Sequence, residues 1–454
     1  MAQFGAVGPR RIGAHLSHAR TMGLFAPRRD STSPDSFERI LIDHAIVPPG
    51  RMGELIRAAR HQGVSLLQLL AKNGLASEQA LYGALATFHE LPFLGEADRD
   101  LRPCIKPSEI ASCLADGWIR LKRRDGRRII AAAPTDPSLT TMRHLGGSHG
   151  CTDPFDAVTT PTAIRNWIER HHGGLLLKHA VRWIADTSPQ MSAERRLSRG
   201  QLIFALAFAL CAITALAVLP AIALFAVVFG LTSLLFFATA LQRLITFACE
   251  IGARHARPPQ HNVSDRDLPV YTVLVPLYRE AHLVGEIVSN VLRLDYPRTK
   301  LDIKLILEAD DDETRAAAAA LDLPGCVDIV VVPTAFPRTK PKALNYALTF
   351  AHGELVTIYD AEDRPEPHQL KRALAAFAHG GPQLACVQAR LSIRNDRQRW
   401  LGRQFAIEYA GLFNVIIPGL ERLGQPLMLG GTSNHFRTEV LNKIGGWDPF
   451  NVTE

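Results

Sequence analysis

The feature that most constrains the fold is a stretch of 39 residues without a charged side chain, from Leu202 to Ala240. At about 1.5 Å per residue, one helix of this length would measure about 59 Å, roughly twice the hydrocarbon core of a bilayer. Pro220 interrupts the stretch near its middle, where it would end a helix. The sequence therefore predicts two transmembrane helices within residues 201–248, joined by a tight turn. A buried helix pair in a soluble domain is the alternative interpretation.

Basic residues flank the apolar stretch on both sides. Three arginines precede it and three follow it, namely Arg195, Arg196, Arg199, Arg243, Arg254 and Arg257. Because Lys and Arg near membrane ends favour the cytoplasm, both large soluble parts are expected there. The sequence thus predicts a multi-pass protein of the cell inner membrane with cytoplasmic soluble domains. A channel or transporter is disfavoured because the hairpin holds no ionisable residue.

Composition excludes several classes of protein. A chain of 454 residues has room for two or three domains, and its seven cysteines contain no C-x-x-C pair. This argues against a zinc site and against a disulfide framework. The first 29 residues hold five arginines and no acid, so residues 1–35 are predicted to be a basic disordered arm. The net charge of +7 is modest and no segment resembles a nucleic-acid-binding module, so no nucleic-acid partner is expected.

Residues 36–172 contain a degenerate repeat, whose copies begin at Leu41 and Leu70 with an offset of 29. Each copy predicts a helix end, a turn and a new helix start. The pattern resembles the N-terminal domain of type II secretion ATPases, a module also fused to bacterial membrane glycosyltransferases. The resemblance implies a regulatory or docking domain and a possible cyclic di-GMP ligand, although the Arg-Leu-Gly that binds it in some members is absent from both copies. A helical packing module is the other interpretation, and linkers are predicted over 173–200 and 249–268.

Strand and helix patterns alternate over residues 269–454. Strands are predicted over 270–275, 301–307, 327–332 and 354–359, with helical segments between them. This alternation predicts an α/β fold with a mostly parallel sheet covered by helices. A dinucleotide-binding domain would need G-x-G-x-x-G after its first strand, where this chain has Pro276-Leu277-Tyr278-Arg279-Glu280. Phosphate is therefore expected to meet a bound cation or Lys and Arg side chains.

Carboxylates follow the last of these strands, at Asp360, Glu362 and Asp363. The carboxyl ends of strands in open α/β sheets border the crevice where ligands bind. Mg²⁺ and Mn²⁺ suit oxygen ligands, and Mg²⁺ is usually held by one or two carboxylates plus substrate phosphates. The pattern predicts such a site for a diphosphate. A solvated acidic turn is the alternative.

Six motifs in order make the chain similar to family 2 glycosyltransferases, and most to their membrane-bound, cellulose-synthase-like branch. They are Val275 to Glu280, Leu307 to Thr314, Lys340 to Asn345, Asp360 to Asp363, Gly430 to Arg437 and Gly445 to Asp448. The resemblance covers residues 269–454. It implies a GT-A fold, a nucleotide-diphospho-sugar donor, Mg²⁺ or Mn²⁺, and a glycan or lipid-linked acceptor to which sugar is transferred with inversion, in polysaccharide synthesis.

Site residues carry over by position. The resemblance implies nucleoside contacts at Pro276, Tyr278, Glu280 and Glu308, with Asp310 as the near alternative to Glu308. It implies diphosphate contacts at Lys340 and Lys342, and metal ligation with catalysis at Asp360 and Glu362. These two carboxylates are expected to converge with the acids near residue 308 around a shared cation. The acceptor side would be formed by Gly431, Thr432, Ser433, Asn434 and Trp447. A tight loop before a helix is the alternative for the first four, and a packed core side chain is the alternative for Trp447.

The sequence ends at Glu454. In the family the following residue would be the Asp of a Thr-Glu-Asp motif, the general base for the acceptor hydroxyl. The expectation is a C-terminally truncated, membrane-anchored hexosyltransferase whose transfer is impaired. A non-catalytic membrane signalling protein that senses sugar nucleotides is the alternative function.

Overall fold

The computed structural model describes residues 36–95, 100–137, 155–194, 197–252, 263–393 and 400–451. The predicted basic arm at 1–35 and the position of the predicted truncation, at Glu454, lie outside these residues. Four helices open the described chain, and they are α1 (Phe37–Asp43), α2 (Pro49–Gln62), α3 (Leu66–Lys72) and α4 (Glu78–Phe88). The helix, turn and helix predicted for each repeat copy are confirmed. Ser65 and Ser77 begin α3 and α4 by accepting the backbone N–H three residues on, which satisfies a donor that the helix leaves free.

A small four-stranded sheet follows these helices. Its strands, in spatial order, are β1 (Arg102–Pro103), β2 (Trp118–Lys122), β3 (Arg128–Ala132) and β4 (Ala157–Val158), with α5 (Ile110–Asp116) between β1 and β2. Strands β2 and β3 pair antiparallel, whereas β3 and β4 pair parallel. The buried faces of the sheet and of α1–α4 share one apolar core.

The long helix α6 (Pro161–Thr187) corrects the prediction of a linker over 173–200. Residues 173–187 continue the helix without a break, because Leu176, Ala180 and Ile184 recur on one face and are buried. Near its start, α6 packs into the core of the N-terminal helices. Near its end, it contacts the second α/β unit, so it connects the two.

Two apolar helices follow, α7 (Arg199–Val218) and α8 (Ala221–Gly252), and the chain turns between them at Leu219 and Pro220. The break predicted at Pro220 is confirmed. The candidate spans, of 20 and 29 residues, are long and apolar enough to cross a membrane, and neither is buried within the chain. The alternative of a buried helix pair is therefore wrong, and length and composition alone support a membrane crossing.

The second unit is built on a six-stranded sheet in the spatial order β7-β6-β5-β8-β10-β9. Its strands are β5 (Tyr271–Leu277), β6 (Leu301–Glu308), β7 (Val327–Val332), β8 (Leu355–Ile358), β9 (Cys386–Gln388) and β10 (Asn434–Arg437). The first four are parallel neighbours, and β10 runs antiparallel between β8 and β9. The predicted mostly parallel α/β sheet is confirmed. Because β5, β6 and β8 end at the same edge, the segments after them lie together.

Helices cover this sheet and extend towards α8. They are α9 (Val284–Leu292), α10 (Asp312–Ala319), α11 (Lys340–Leu348), α12 (Gln369–Gly380), α13 (Trp400–Gly411), α14 (Ile417–Arg422) and α15 (Thr438–Ile444). Helix α14 packs on α8, and the Arg422 guanidinium donates to the Cys249 carbonyl at 3.0 Å. Gly419 lies so close to α8 that a Cβ there would meet the Thr246 carbonyl oxygen at 2.7 Å.

Candidate active site

A cavity of about 390 Å³ opens at the edge where β5, β6 and β8 end. This volume is in the range of small-molecule sites. Eight of the predicted site residues line it, namely Pro276, Tyr278, Glu280, Glu308, Asp310, Lys340, Asp360 and Glu362. They come from three strand ends and from the start of α11, so the fold brings together positions that are far apart in sequence.

On the β5 side, the exposed Tyr278 and the half-buried Glu280 both line the cavity. Burial raises the pKa of the Glu280 carboxyl, a hydrogen bond from the Tyr278 backbone opposes this, and the negative charges of Glu362 and Asp360 raise it further. The Glu280 N–H donates to Thr314 Oγ1 at 3.1 Å, which ties this segment to α10. An aromatic face beside a polar group suits a nucleoside.

Glu308, at the end of β6, lies 2.9 Å from the ammonium of Lys342. Lys342 is fully buried and does not line the cavity, so the structure does not support its predicted direct contact with a diphosphate. Burial raises the pKa of Glu308, although the hydrogen bond from Lys342 opposes it. The lysine instead holds Glu308 at the cavity wall, where a charged carboxylate would be costly without a partner.

Asp310 and Asp311, the next two acids after Glu308, each have partners of their own. Asp310 accepts from Arg338 Nη1 at 2.8 Å, and both residues line the cavity. Asp311 caps α10 by accepting the Thr314 N–H, and it also accepts the Arg279 N–H at 2.5 Å. Sequence reasoning missed Arg338; the basic run Arg338-Thr339-Lys340 before a helix was the available signal.

Lys340 stands at the first position of α11, with its ammonium in the cavity. Its Nζ lies 2.7 Å from Asp360 Oδ1 and donates to the Gly431 carbonyl at 2.8 Å. The cation therefore bridges the acidic segment after β8 and the glycine segment before β10. A flexible point charge at this place is suited to a phosphate.

Asp363, the third carboxylate of the acidic segment after β8, holds that segment in shape. Its Oδ2 accepts the Asp360 N–H at 2.8 Å and the hydroxyl of Thr432. Burial raises the pKa of the Asp363 carboxyl, and the hydrogen bond from Thr432 opposes that rise. Asp363 thus orients Asp360 and joins its loop to the residues before β10.

Asp360 and Glu362 are the two carboxylates that a divalent cation could use. Both line the cavity, and oxygen donors suit Mg²⁺ or Mn²⁺. Among the described residues, however, no group of three or more His, Cys, Asp or Glu side chains is placed to hold a metal. The expected convergence of Asp360 and Glu362 with the acids near 308 on one cation is therefore not observed, because Lys342 and Arg338 draw Glu308 and Asp310 into ion pairs. The two carboxylates fit a cation whose other ligands are phosphate and water.

The predicted acceptor-side residues lie beside the cavity rather than in its lining. The Gly431 carbonyl accepts from Lys340, which lines the cavity. The Ser433 N–H donates to the Ile358 carbonyl at 2.8 Å. Residues 430–433 form a tight turn, and the short strand β10, which begins at Asn434, separates this turn from α15. Ser433 has a φ of 57°, a left-handed conformation that closes this tight turn.

Trp447 packs its ring edge-on against Phe436, with centroids 5.8 Å apart, and is partly buried against the core. This contact matches the alternative of a packed core side chain. Asn345 also binds the backbone of Trp447. The side-chain N–H of Asn345 donates to the Trp447 carbonyl at 2.7 Å, and the side-chain oxygen accepts the Trp447 N–H at 2.9 Å.

The second α/β unit matches the family model described as "Glycosyltransferase like family 2" over residues 269–454. Together with the mostly parallel sheet and the cavity at its carboxyl edge, this match shows that residues 269–454 are similar to family 2 glycosyltransferases and have a GT-A-like α/β fold.

Among curated proteins, the chain is 28% identical over 211 residues to the poly-beta-1,6-N-acetyl-D-glucosamine synthase of Staphylococcus aureus (strain COL), covering 46% of this chain and 48% of that protein. It is 22% identical over 211 residues to "Probable glycosyltransferase YdaM" of Bacillus subtilis (strain 168), covering 44% and 50% respectively. The chain thus spans about half the length of the curated relatives it matches. A solved structure, the mannosyltransferase PcManGT from Pyrobaculum calidifontis in complex with GDP-Man and Mn²⁺, aligns with a TM-score of 0.36 and 26% identity over 49% of this chain and 59% of that one.

Proposed function

We propose that this protein is a membrane-anchored glycosyltransferase that takes a sugar from a nucleotide-diphospho-sugar and transfers it, with inversion, to a glycan or lipid-linked acceptor in polysaccharide synthesis. The observation that carries the proposal is the common cavity of Tyr278, Glu280, Lys340, Asp360 and Glu362. The Tyr278 ring suits the base of a nucleotide, and the Lys340 ammonium suits the diphosphate. The carboxylates of Asp360 and Glu362 suit the metal bound to that diphosphate. The relative named as a poly-beta-1,6-N-acetyl-D-glucosamine synthase is consistent with this substrate class.

In the proposed complex, the nucleoside lies against Tyr278 and Glu280, and Lys340 faces the diphosphate. Asp360 and Glu362 would hold Mg²⁺ or Mn²⁺, which supplies charge that stabilises the departing nucleoside diphosphate. Asp363 keeps Asp360 in place through its backbone N–H. Charge at the leaving group, rather than covalent chemistry by the protein, would then lower the barrier.

The rest of the chain fits an anchored, regulated enzyme. We propose that α7 and α8 cross the inner membrane and that both soluble units lie in the cytoplasm, where activated donors are made. The N-terminal helices and small sheet would serve as a regulatory or docking module. A cyclic di-GMP ligand for that module remains a prediction from the resemblance.

Calorimetric titration of the detergent-purified chain tests the donor site. UDP and GDP are each titrated with and without Mn²⁺ into the wild type, Asp360→Ala, and the control Glu439→Gln, which removes an exposed carboxylate from α15. We expect Mn²⁺-dependent binding of one nucleotide in the wild type and the control. Loss of a charged partner in Asp360→Ala should weaken it at least about tenfold. Absence of Mn²⁺-dependent binding in the wild type would refute the proposal.

Assays of sugar transfer and donor hydrolysis, with UDP- and GDP-sugars, separate the enzyme from the alternative of a sugar-nucleotide sensor. Turnover that Asp360→Ala abolishes and Glu439→Gln retains supports the enzyme. Tight, Mn²⁺-dependent binding of a nucleotide sugar without turnover would favour the sensor.

A further inference from the structure

The segment Gly445–Asn451, here called the Trp447 loop, is held by two different parts of the protein. On one side, Asn345 of α11 binds both the N–H and the carbonyl of Trp447. On the other side, Asp448 accepts from Ser192 Oγ at 3.0 Å and from the Ala193 N–H at 2.5 Å. Ser192 and Ala193 follow α6 after one 3-10 turn, Pro189–Met191. The loop thus joins the helix that carries Lys340 to the segment that follows the helix from the N-terminal module.

Asn345 is the point where these connections meet. Its Nδ2 also donates to the Ala180 carbonyl of α6 at 3.0 Å, so one buried side chain contacts α6, α11 and the loop. A buried amide with its donors and acceptor all used fixes a unique arrangement of the three backbones.

The approach of the three elements leaves no free space. A Cβ at Gly446 would lie 2.2 Å from Asn345 Oδ1, and one at Gly445 would lie 1.9 Å from the Trp183 ring of α6. Both glycines have positive φ values, of 80° and 88°, which other residues rarely adopt. A shift of Trp183 on α6 towards the loop would therefore displace Gly445.

The other end of α6 is embedded in the N-terminal module. Its residues Ile164, Trp167 and Ile168 are buried in the core that α1–α4 also form. Beside them, Arg165 lies 3.4 Å from Asp328 of β7, which in turn contacts Lys304 at 2.7 Å. The N-terminal module, α6 and the domain of residues 269–454 are thus packed as one continuous body along this helix.

We propose that α6 couples the N-terminal module to the Trp447 loop and, with Asn345 as the positioning residue, couples that loop to the donor cavity. This inference deepens the proposed function and rests on it. At the donor end, Lys340 stands on α11 one and a half turns before Asn345, so a ligand that draws Lys340 from Asp360 acts on the helix that holds the loop. Coupling of this kind is reciprocal, so a ligand in the cavity must also alter the loop and the turn after α6.

Hydrogen–deuterium exchange of the full chain in detergent, with and without UDP or GDP plus Mn²⁺, tests this coupling. In the wild type, we expect the nucleotide that binds to slow exchange about tenfold in peptides around Lys340, in the Trp447 loop and in residues 189–193. In Asn345→Ala, the cavity peptides should still be protected and nucleotide affinity should stay within about twofold. The loop should no longer respond, and the unliganded Trp447 amide should exchange about fivefold faster because it has lost its acceptor.

Two further variants make the result decisive. Asp448→Ala is expected to leave the response of the cavity intact and to abolish that of residues 189–193, and it provides a test should Asn345→Ala not fold. Asn442→Ala, an exposed asparagine on α15 three residues before the loop, should behave as wild type. A loop response that persists in Asn345→Ala, or a turn response that persists in Asp448→Ala, overturns the inference. Failure of either nucleotide to protect the wild-type cavity overturns the proposed function and this inference together.

Discussion

The ammonium of Lys340 lies 2.7 Å from a carboxylate oxygen of Asp360, at the mouth of the cavity. Before any ligand binds, this lysine supplies the positive charge that Asp360 needs. A divalent cation bound by Asp360 and Glu362 would compete with the lysine for the same oxygen, and the ammonium would then turn towards a diphosphate. The pair therefore suggests that metal and donor bind together rather than one after the other.

The first prediction concerns Lys340. We expect Lys340→Met to weaken binding of the nucleoside diphosphate with Mn²⁺ by about tenfold or more, since hydrogen bonds to charged groups contribute about 1.5–3 kcal/mol. Affinity for the nucleoside alone should be unchanged, because the lysine does not contact it. Calorimetry with UDP and uridine, or GDP and guanosine, measures both. Lys443→Met, on an exposed ion pair of α15, is the matched control. Equal loss for nucleoside and nucleotide would mean that the cavity itself has changed.

The second prediction concerns Lys342, which is buried with Glu308. Lys342→Met leaves a carboxylate without its partner, so we expect the free energy of unfolding to fall by about 3–5 kcal/mol. Because burial already raises the pKa of Glu308, the loss should shrink as the pH falls and the carboxyl becomes protonated. Denaturant unfolding at several pH values measures this. Lys342→Met with Glu308→Leu should recover most of the stability, and a single variant as stable as wild type would contradict the ion pair.

The third prediction is a pH dependence that comes from His435 on β10. Burial lowers the pKa of this imidazole from 6.5 to about 3, and its Nδ1 lies 2.7 Å from the Tyr271 hydroxyl oxygen. Between these values the unfolded chain binds a proton that the folded chain does not. The contribution of His435 to the free energy of unfolding is therefore fully present above pH 6.5. It should be lost as the pH drops towards 3, by up to about 1.4 kcal/mol per pH unit.

Unfolding of the wild type and of His435→Phe with Tyr271→Phe, followed from pH 7 to pH 4, isolates this contribution. The double variant removes the imidazole and also the hydroxyl that would otherwise lose its partner. We expect a shallower slope of stability against pH in the double variant. Identical slopes would show that His435 is not held neutral in the fold.

The fourth prediction uses the chain's own cysteines to test the membrane hairpin. Cys211 lies within α7 and Cys104 lies in the N-terminal module, and both are exposed in the fold. In inside-out membrane vesicles, a charged maleimide should label a variant whose single cysteine is Cys104 and should not label one whose single cysteine is Cys211, because the bilayer excludes the reagent. In detergent above its critical concentration, a small apolar maleimide should label both. Rapid labelling of Cys211 by the charged reagent in vesicles would contradict a membrane span.

The elements that follow from local patterns could be predicted without a structure. The uncharged run with a central proline predicts two apolar helices. No charged residue interrupts the run, and Pro220 ends the first helix. Alternating strand and helix patterns predict a parallel sheet, and the carboxyl ends of such strands share one edge. The positions of Asp360, Glu362, Tyr278 and Lys340 around one cavity follow from that rule.

In contrast, only the tertiary structure decided how the charged side chains pair. The order of amino acids does not reveal that Lys342 turns inward to Glu308 while Lys340, two residues earlier, turns to Asp360. That pairing depends on which face of α11 the sheet covers. An amphipathic pattern identifies the buried face of a helix but not the residues that pack against it. The same holds for α6 beyond residue 172, which was predicted to be a linker. Its apolar residues recur at helical spacing, but only the tertiary structure shows that α11 and the Trp447 loop pack against them.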